Sequence, residues 1–165
     1  MTRINFDTTQ TERNEAADYA DKYATVDRHT KDPENVLANK AASYLSEKYV
    51  ADYLEGEGLT VTVENSDDDR APIDLTAEGV RIDVKHSLNY PNLMPSKHHV
   101  ADDRPVDMFV HCMVSSDLEK VTIVGFCSKE RFNDEAEYFF PVSTERMVED
   151  DLSDIRDFAE VIKSD

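Results

Sequence analysis

Residues Ala71 to Ser87 read APIDLTAEGVRIDVKHS, and this stretch decides the fold. Ile73 and Leu75 alternate with polar neighbours, Glu78-Gly79 supply a tight turn, and Val80, Ile82 and Val84 alternate again, which is the pattern of a β-hairpin. With Glu78 and Gly79 as the loop, Ala77 faces Val80, Thr76 faces Arg81, Leu75 faces Ile82 and Asp74 faces Asp83. The two carboxylates then share one face of the sheet. Lys85 follows Asp83 at the strand period and points to that same face. Like charges directly opposite across a strand pair are destabilising, so the arrangement calls for something between them. Hard divalent cations take carboxylate oxygens, and a lysine beside such an ion can hold a phosphate or the attacking water. The set suggests metal-assisted phosphodiester hydrolysis. A polar sheet face in an acidic protein, with the Asp pair arising by chance, is the plain alternative.

Upstream of the hairpin, Asp32-Pro33-Glu34 reads as a helix start, with an N-cap acid, proline in the first helical position and an acid in the first turn. The helix is expected to run to about Glu55 and stop at Gly56 or Gly58. Tyr44, Ala51 and Leu54 share a face at helical spacing, and Glu47 lies on that same face. A carboxylate on a core-facing stripe is costly unless paired. It is either a stripe-edge Glu paired with Lys40 or Lys48, or a third acid near the metal. Leu59 to Glu64 reads as a half-buried strand. Asn65 to Arg70 reads as a turn whose Asp67-Asp68-Asp69 run is solvated. Residues 1–31 are polar and acidic and are expected to form an N-terminal arm, mobile or packed on a partner, with a turn or two of helix between Ala16 and Ala24. The remainder, 32–165, is expected to be one domain.

Downstream, His86 to Pro105 is a long connection, and long connections in compact domains are often functional. Its Lys97, His98, His99 and Arg104 form the most basic cluster of the chain and are expected to approach a DNA backbone. His86 alternates to the face opposite Lys85. Val106 to Val114 and Val121 to Cys127 read as an apolar antiparallel strand pair deep in a sheet. Their Cys112 and Cys127 are expected to be buried free thiols. Leu152, Ile155, Ala159 and Ile162 make a helical stripe that should pack on the core or on a second subunit. The order helix, strand, hairpin, strands, helix gives an α/β sheet flanked by helices.

Pro72-Ile73-Asp74, followed after a short turn by Asp83-Val84-Lys85, resembles the signature of the PD-(D/E)xK nuclease superfamily, with Ile73 placed between the proline and the acid. SEKYVADYLEGEGLTV resembles the family's first helix, with Ser46 where a glycine often precedes the glutamate. DMFVHCMV and VTIVGFCSKERF resemble its later strands, so the likeness extends from about Asn35 to Phe132. The resemblance implies a restriction-endonuclease-like core, a central mixed sheet of four to five strands flanked by helices. It also implies a Mg²⁺-dependent DNA nuclease, an endonuclease, that accepts Mn²⁺ as well. Asp74, Asp83, the Val84 carbonyl and Glu47 would hold the metal, and Lys85 would orient or activate the water and steady negative charge. DNA would be the partner, and a homodimer would bring two such sites to two strands.

Bulk composition is consistent with a globular chain and carries one objection. Of 165 residues, 39% are hydrophobic and 33% charged, which suits a domain with a real core and a heavily charged surface. No apolar run approaches the roughly 20 residues of a membrane span. The N-terminus lacks the apolar core of a signal peptide, so a cytoplasmic location is expected. The formal charge of −18, 36 acids against 18 bases, opposes binding to nucleic acid, which ordinarily leaves a basic footprint. In molar salt the Debye length falls to about 3 Å, and the acid-rich composition resembles proteins of salt-accumulating halophilic archaea and their viruses. The competing function class is a non-catalytic nuclease-fold binding module, or an acidic decoy for a DNA-binding protein. A chance motif would leave Asp74 and Asp83 apart.

Overall fold

The computed structural model describes residues 3–64, 73–93, 105–139 and 144–164. The first surprise lies at the N-terminus, where the acidic stretch expected as an arm joins the fold. Ile4–Asp7 forms strand β1, and Gln10–Tyr23 forms helix α1. The alternation of Ile4 and Phe6 turns both side chains against the main core, and the Phe6 ring lies 4.9 Å from that of Tyr49. Thr9 and Glu12 close a reciprocal capping box at the start of α1, satisfying two otherwise orphaned N–H groups. Ala16 and Ala20 are buried; such small side chains let α1 lie close on the next helix.

That helix, α2, spans Pro33–Gly56, with the Asp32 side chain accepting from Asn35 N and proline in its first turn. Its expected limits and cap hold. Gly58 follows at φ +82°, a conformation that glycine adopts without strain. Strand β2 (Val61–Val63) leads to the hairpin, β3 (Leu75–Ala77) and β4 (Val80–Leu88). The hairpin register is the one its alternation dictates: Leu75 opposite Ile82, Thr76 opposite Arg81, Ala77 opposite Val80. Glu78 and Gly79 both have positive φ, 49° and 82°, as a type I′ turn requires. The Asp67–Asp69 run and Pro72 lie outside the described residues.

Strands β5 (Met108–Val114) and β6 (Lys120–Ser128) are the expected buried antiparallel pair. Helix α3 (Lys129–Glu135) follows, then a small two-stranded sheet of β7 (Glu137–Phe139) and β8 (Thr144–Arg146) that the sequence reading does not anticipate. The C-terminal stripe is divided into short 3₁₀ turns at Glu149–Asp151 and Ile155–Asp157 and helix α4, Phe158–Lys163. It packs on the core through Ile155, Phe158 and Ile162.

Among the described residues the main sheet has six strands in the order β1-β6-β5-β4-β3-β2, rather than four to five, because the N-terminal strand adds itself to β6. Only β4 and β5 are parallel; the other pairs are antiparallel. On one face Ile82, Val84, Val110 and Ile123 pack against Leu45, Val50 and Leu54 of α2. On the other, Phe109, Val124 and Cys127 pack with Phe132, Leu93 and Met147. A register shift beside His111 and Cys112 explains why Ile123 and Phe126, three apart in sequence, serve one core while Val124 and Cys127 serve the other: the extra residue of a bulge resets the alternation. Cys112 and Cys127 are buried free thiols. Burial pushes them up to about 12 and about 11, so they stay protonated and inert.

Candidate functional site

The site lies where the hairpin opens. Strand β3 ends near Asp74 while β4 runs on to Leu88, leaving a fork in the sheet. Asp74 is pinned there by its backbone: its N–H donates to Ile82 O (3.1 Å), and its own carbonyl accepts from Glu64 N (2.8 Å). Its side chain then turns across the fork, and Oδ2 accepts from Val84 N–H at 2.7 Å. This donor would lack a ladder partner once β3 has ended. A residue's N–H and C=O point to the same side of a strand, so the Val84 carbonyl also looks toward the fork.

Asp83 lies close enough to Asp74 for its charge to act on the Asp74 carboxyl. Their encounter is the one the hairpin register predicts, and it is what a chance motif would not give. Asp83 is 3% exposed. Lys85 Nζ forms an ion pair with Asp83 Oδ1 at 2.8 Å, so the acid and the lysine do share a face. Across the parallel ladder their neighbours are Phe109 and His111, which form the apolar and neutral floor of the site.

Glu47 enters from α2. Ser43 Oγ, one turn earlier, donates to its Oε1 at 3.0 Å. Lys48 is engaged elsewhere, with Asp52 at 2.7 Å and Glu12 at 3.7 Å, so the stripe-edge pairing with Lys48 does not form. Burial pushes the Glu47 carboxyl up, against the opposing effects of Ser43 and Lys40, and the charge on Asp83 adds to the rise. Burial also pushes Asp74 up to about 9, helped by the charges of Glu47 and Asp83 and opposed by Lys85. Each acid is therefore felt by the others: α2 supplies Glu47, the mouth of β3 supplies Asp74, and β4 supplies Asp83 and Lys85.

Chemically this is an all-oxygen donor set in which like charges crowd one point. Such a set suits a hard divalent ion, Mg²⁺ or Mn²⁺, taken in exchange for the proton that Asp74 holds at neutral pH. Among the described residues, no group of acid, histidine or cysteine side chains is already spread at ligand spacing. Asp74 is held by the Val84 N–H, Asp83 by Lys85, and Glu47 by Ser43, so uptake of an ion would have to loosen these contacts.

Sequence reading passes over His111. It is fully buried on β5, its Nε2 lies 3.2 Å from Tyr90 O, and burial lowers it to about 4. This contact ties the loop after β4 to the sheet floor. The same loop is held by Arg146, which donates to the Tyr90 hydroxyl at 3.1 Å, and by the mutual backbone bonds of Leu93 and Met147. Its only sequence signal is a histidine inside an apolar strand. His86 does face away from Lys85, toward α2, where it borders a cleft with Asn39, Lys40 and Ser43. Lys97, His98, His99 and Arg104, expected at the DNA backbone, lie outside the described residues. Asp107, the acid before β5, is structural: it accepts from Arg81 Nε and Nη2 at 2.9 and 2.8 Å and from Arg81 N at 2.8 Å, clamping the start of β4 to β5. No protein-family model matches the chain, and no curated protein matches it. No helix among the described residues is long and apolar enough to cross a membrane.

Proposed function

We propose that this protein is a divalent-metal-dependent DNA nuclease with a restriction-endonuclease-like core. One observation carries the reading: Asp74, Asp83 and Glu47, from three different elements, crowd together beside Lys85 at the opening of a hairpin. A fold gains nothing from packing three acids at one buried point, since burial of like charges is costly; a cation offsets that cost.

Asp74, Asp83, the Val84 carbonyl and Glu47 are the groups that would hold Mg²⁺, with Mn²⁺ as a substitute. When bound, such an ion lowers the pKa of a water and polarises a phosphoryl oxygen. The remaining work falls to the chain. Lys85, held by Asp83, would steady negative charge developing on the phosphate and orient the attacking water. The Val84 N–H and the Ser43 hydroxyl fix one oxygen each of Asp74 and Glu47, so both carboxylates present a set direction. The clamp between Arg81 and Asp107 and the contact of His111 with Tyr90 keep the β4 strand rigid beneath them. Cleavage within a strand, by a homodimer acting on duplex or branched DNA in the cytoplasm of a salt-accumulating cell, accords with this reading and with the charge of −18.

The test is cleavage of labelled plasmid, linear duplex and four-way-junction DNA with Mg²⁺ in molar KCl. Cutting that stops with chelation and in Lys85→Ala supports the reading. Failure of the folded protein to cut any of them or to bind Mg²⁺ contradicts it. It would favour the binding module, for which the charge of −18 supplies a reason in a basic partner.

A further inference from the structure

Beside the acid cluster, on the α2 side of the sheet, lies a cleft of about 430 Å³ lined by Tyr23, Asn35, Asn39, Lys40, Ser43 and His86 among others. This volume falls within the range of pockets that hold small organic molecules, roughly 300–1,000 Å³. The lining is unlike the rest of the surface. In a chain with 36 acids and 18 bases, no acid among the described residues borders this cleft, whereas a lysine and a histidine do. Beside the small apolar Ala24 and Val36, the remaining lining suits a heteroaromatic ring: two carboxamides, the hydroxyls of Thr25 and Ser43, and the ring of Tyr23.

The cleft adjoins Glu47, the acid that α2 supplies. Ser43 borders it and also donates to Glu47 at 3.0 Å, and Lys40 acts electrostatically on both Glu47 and His86. A chain whose phosphate sits at the fork would therefore send its next nucleotide into the cleft. We infer that this cleft is a subsite for one unpaired nucleotide adjoining the scissile phosphate, with Lys40 toward its phosphate, Tyr23 against its base and the Asn35, Asn39 and His86 groups at its edges. The inference rests on the nuclease reading and narrows it to substrates with single-stranded character. In a duplex the base edges and faces are taken up by pairing and stacking, so a concave cleft reaches a base only when it is extruded or unpaired. Aromatic stacking joined to a cationic neighbour is the usual means of holding a single strand.

The experiment is equilibrium binding of a short fluorescein-labelled single strand, and of the blunt duplex of the same sequence, to the full chain in molar KCl with Ca²⁺ in place of Mg²⁺. Cleavage of both DNAs with Mg²⁺ is followed alongside. Two variants are compared with wild type. Tyr23→Ala removes the ring. Asn35→Asp keeps the side-chain oxygen that accepts from Asn39, adds an acid to a helix first turn, where acids are stabilising, and places a negative charge in the acid-free cleft. Wild type is expected to prefer the single strand at least tenfold, and each variant to lose about tenfold in single-strand affinity with duplex affinity unchanged. Equal binding of both DNAs by wild type, or retention of the preference in both folded variants, overturns the inference. If duplex is nevertheless cut with Mg²⁺, the subsite alone fails; if wild type neither binds nor cuts any DNA, the nuclease reading fails with it.

Discussion

Asp74 is the residue on which the proposed chemistry turns, because its buried carboxyl feels the charges of two others, Glu47 and Asp83. Its pKa, raised to about 9, has a definite sign in stability. A carboxyl raised on folding stabilises fully below its ordinary value near 4, and that contribution is lost as pH rises through about 9. The metal-free protein should therefore lose thermal stability between pH 5 and 9, and Asp74→Asn should flatten this slope; thermal scans across pH with chelator present check both. An unchanged slope in the variant would place the titration elsewhere. His86 and His111, both lowered to about 4 by burial, have the opposite dependence. Their contribution is present above the ordinary histidine value near 6.5 and is lost as pH falls through about 4. Lys85→Ala, which removes the cation from the mouth of the fork, is expected to lower the cleavage rate at least about 100-fold, in line with loss of one charge-stabilising donor. Its far-ultraviolet circular dichroism should be unchanged.

At the scale of elements, α2 does most of the positioning: one face builds the core through Leu45, Val50 and Leu54, and its edge delivers Glu47. Leu45→Ala should cost about 2–5 kcal/mol, the usual range for a fully buried leucine, and Thr9→Ala at the cap of α1 about 1 kcal/mol; urea titrations measure both. A negligible loss from Leu45→Ala would mean that α2 is not seated on the sheet as described. What could be read in the sequence follows the same physics. The hairpin register, the α2 cap and the β5–β6 pair rest on local patterns, periodicity and turn chemistry, and these were legible. The meeting of Asp74 with Asp83 followed from that register alone. Strand β1 was not legible, because four residues with two apolar side chains look polar until β6 offers an edge, and the reading of a turn or two from Ala16 to Ala24 missed the Thr9–Glu12 capping box that starts α1 at Gln10. His111 was hidden for a related reason: its role depends on the Tyr90 carbonyl, 21 positions away in sequence, which periodicity does not encode.

At the scale of the whole molecule, the charge of −18 sets the conditions under which the site could work. Self-repulsion opposes the compact state, and repulsion from phosphates opposes DNA binding. Both fade as the Debye length shrinks from about 10 Å at 0.1 M salt to about 3 Å at 1 M. The melting temperature should rise steadily from 0.1 to 2 M KCl, and DNA affinity should hold or increase over the same range, the reverse of the steep salt-induced loss shown by basic DNA-binding proteins. A melting temperature that falls with salt would contradict this. Beneath these conditions lies the claim that the buried acids are a cation site. Calorimetric titration of Mg²⁺ at pH 8, in two buffers of different ionisation enthalpy, tests it most directly. Wild type should bind the ion with release of roughly one proton, because the carboxyl raised to about 9 must ionise to become a ligand, and Asp74→Asn should lose both the binding and the proton. Absence of binding in the wild type, or binding and proton release that persist unchanged in Asp74→Asn, would contradict it.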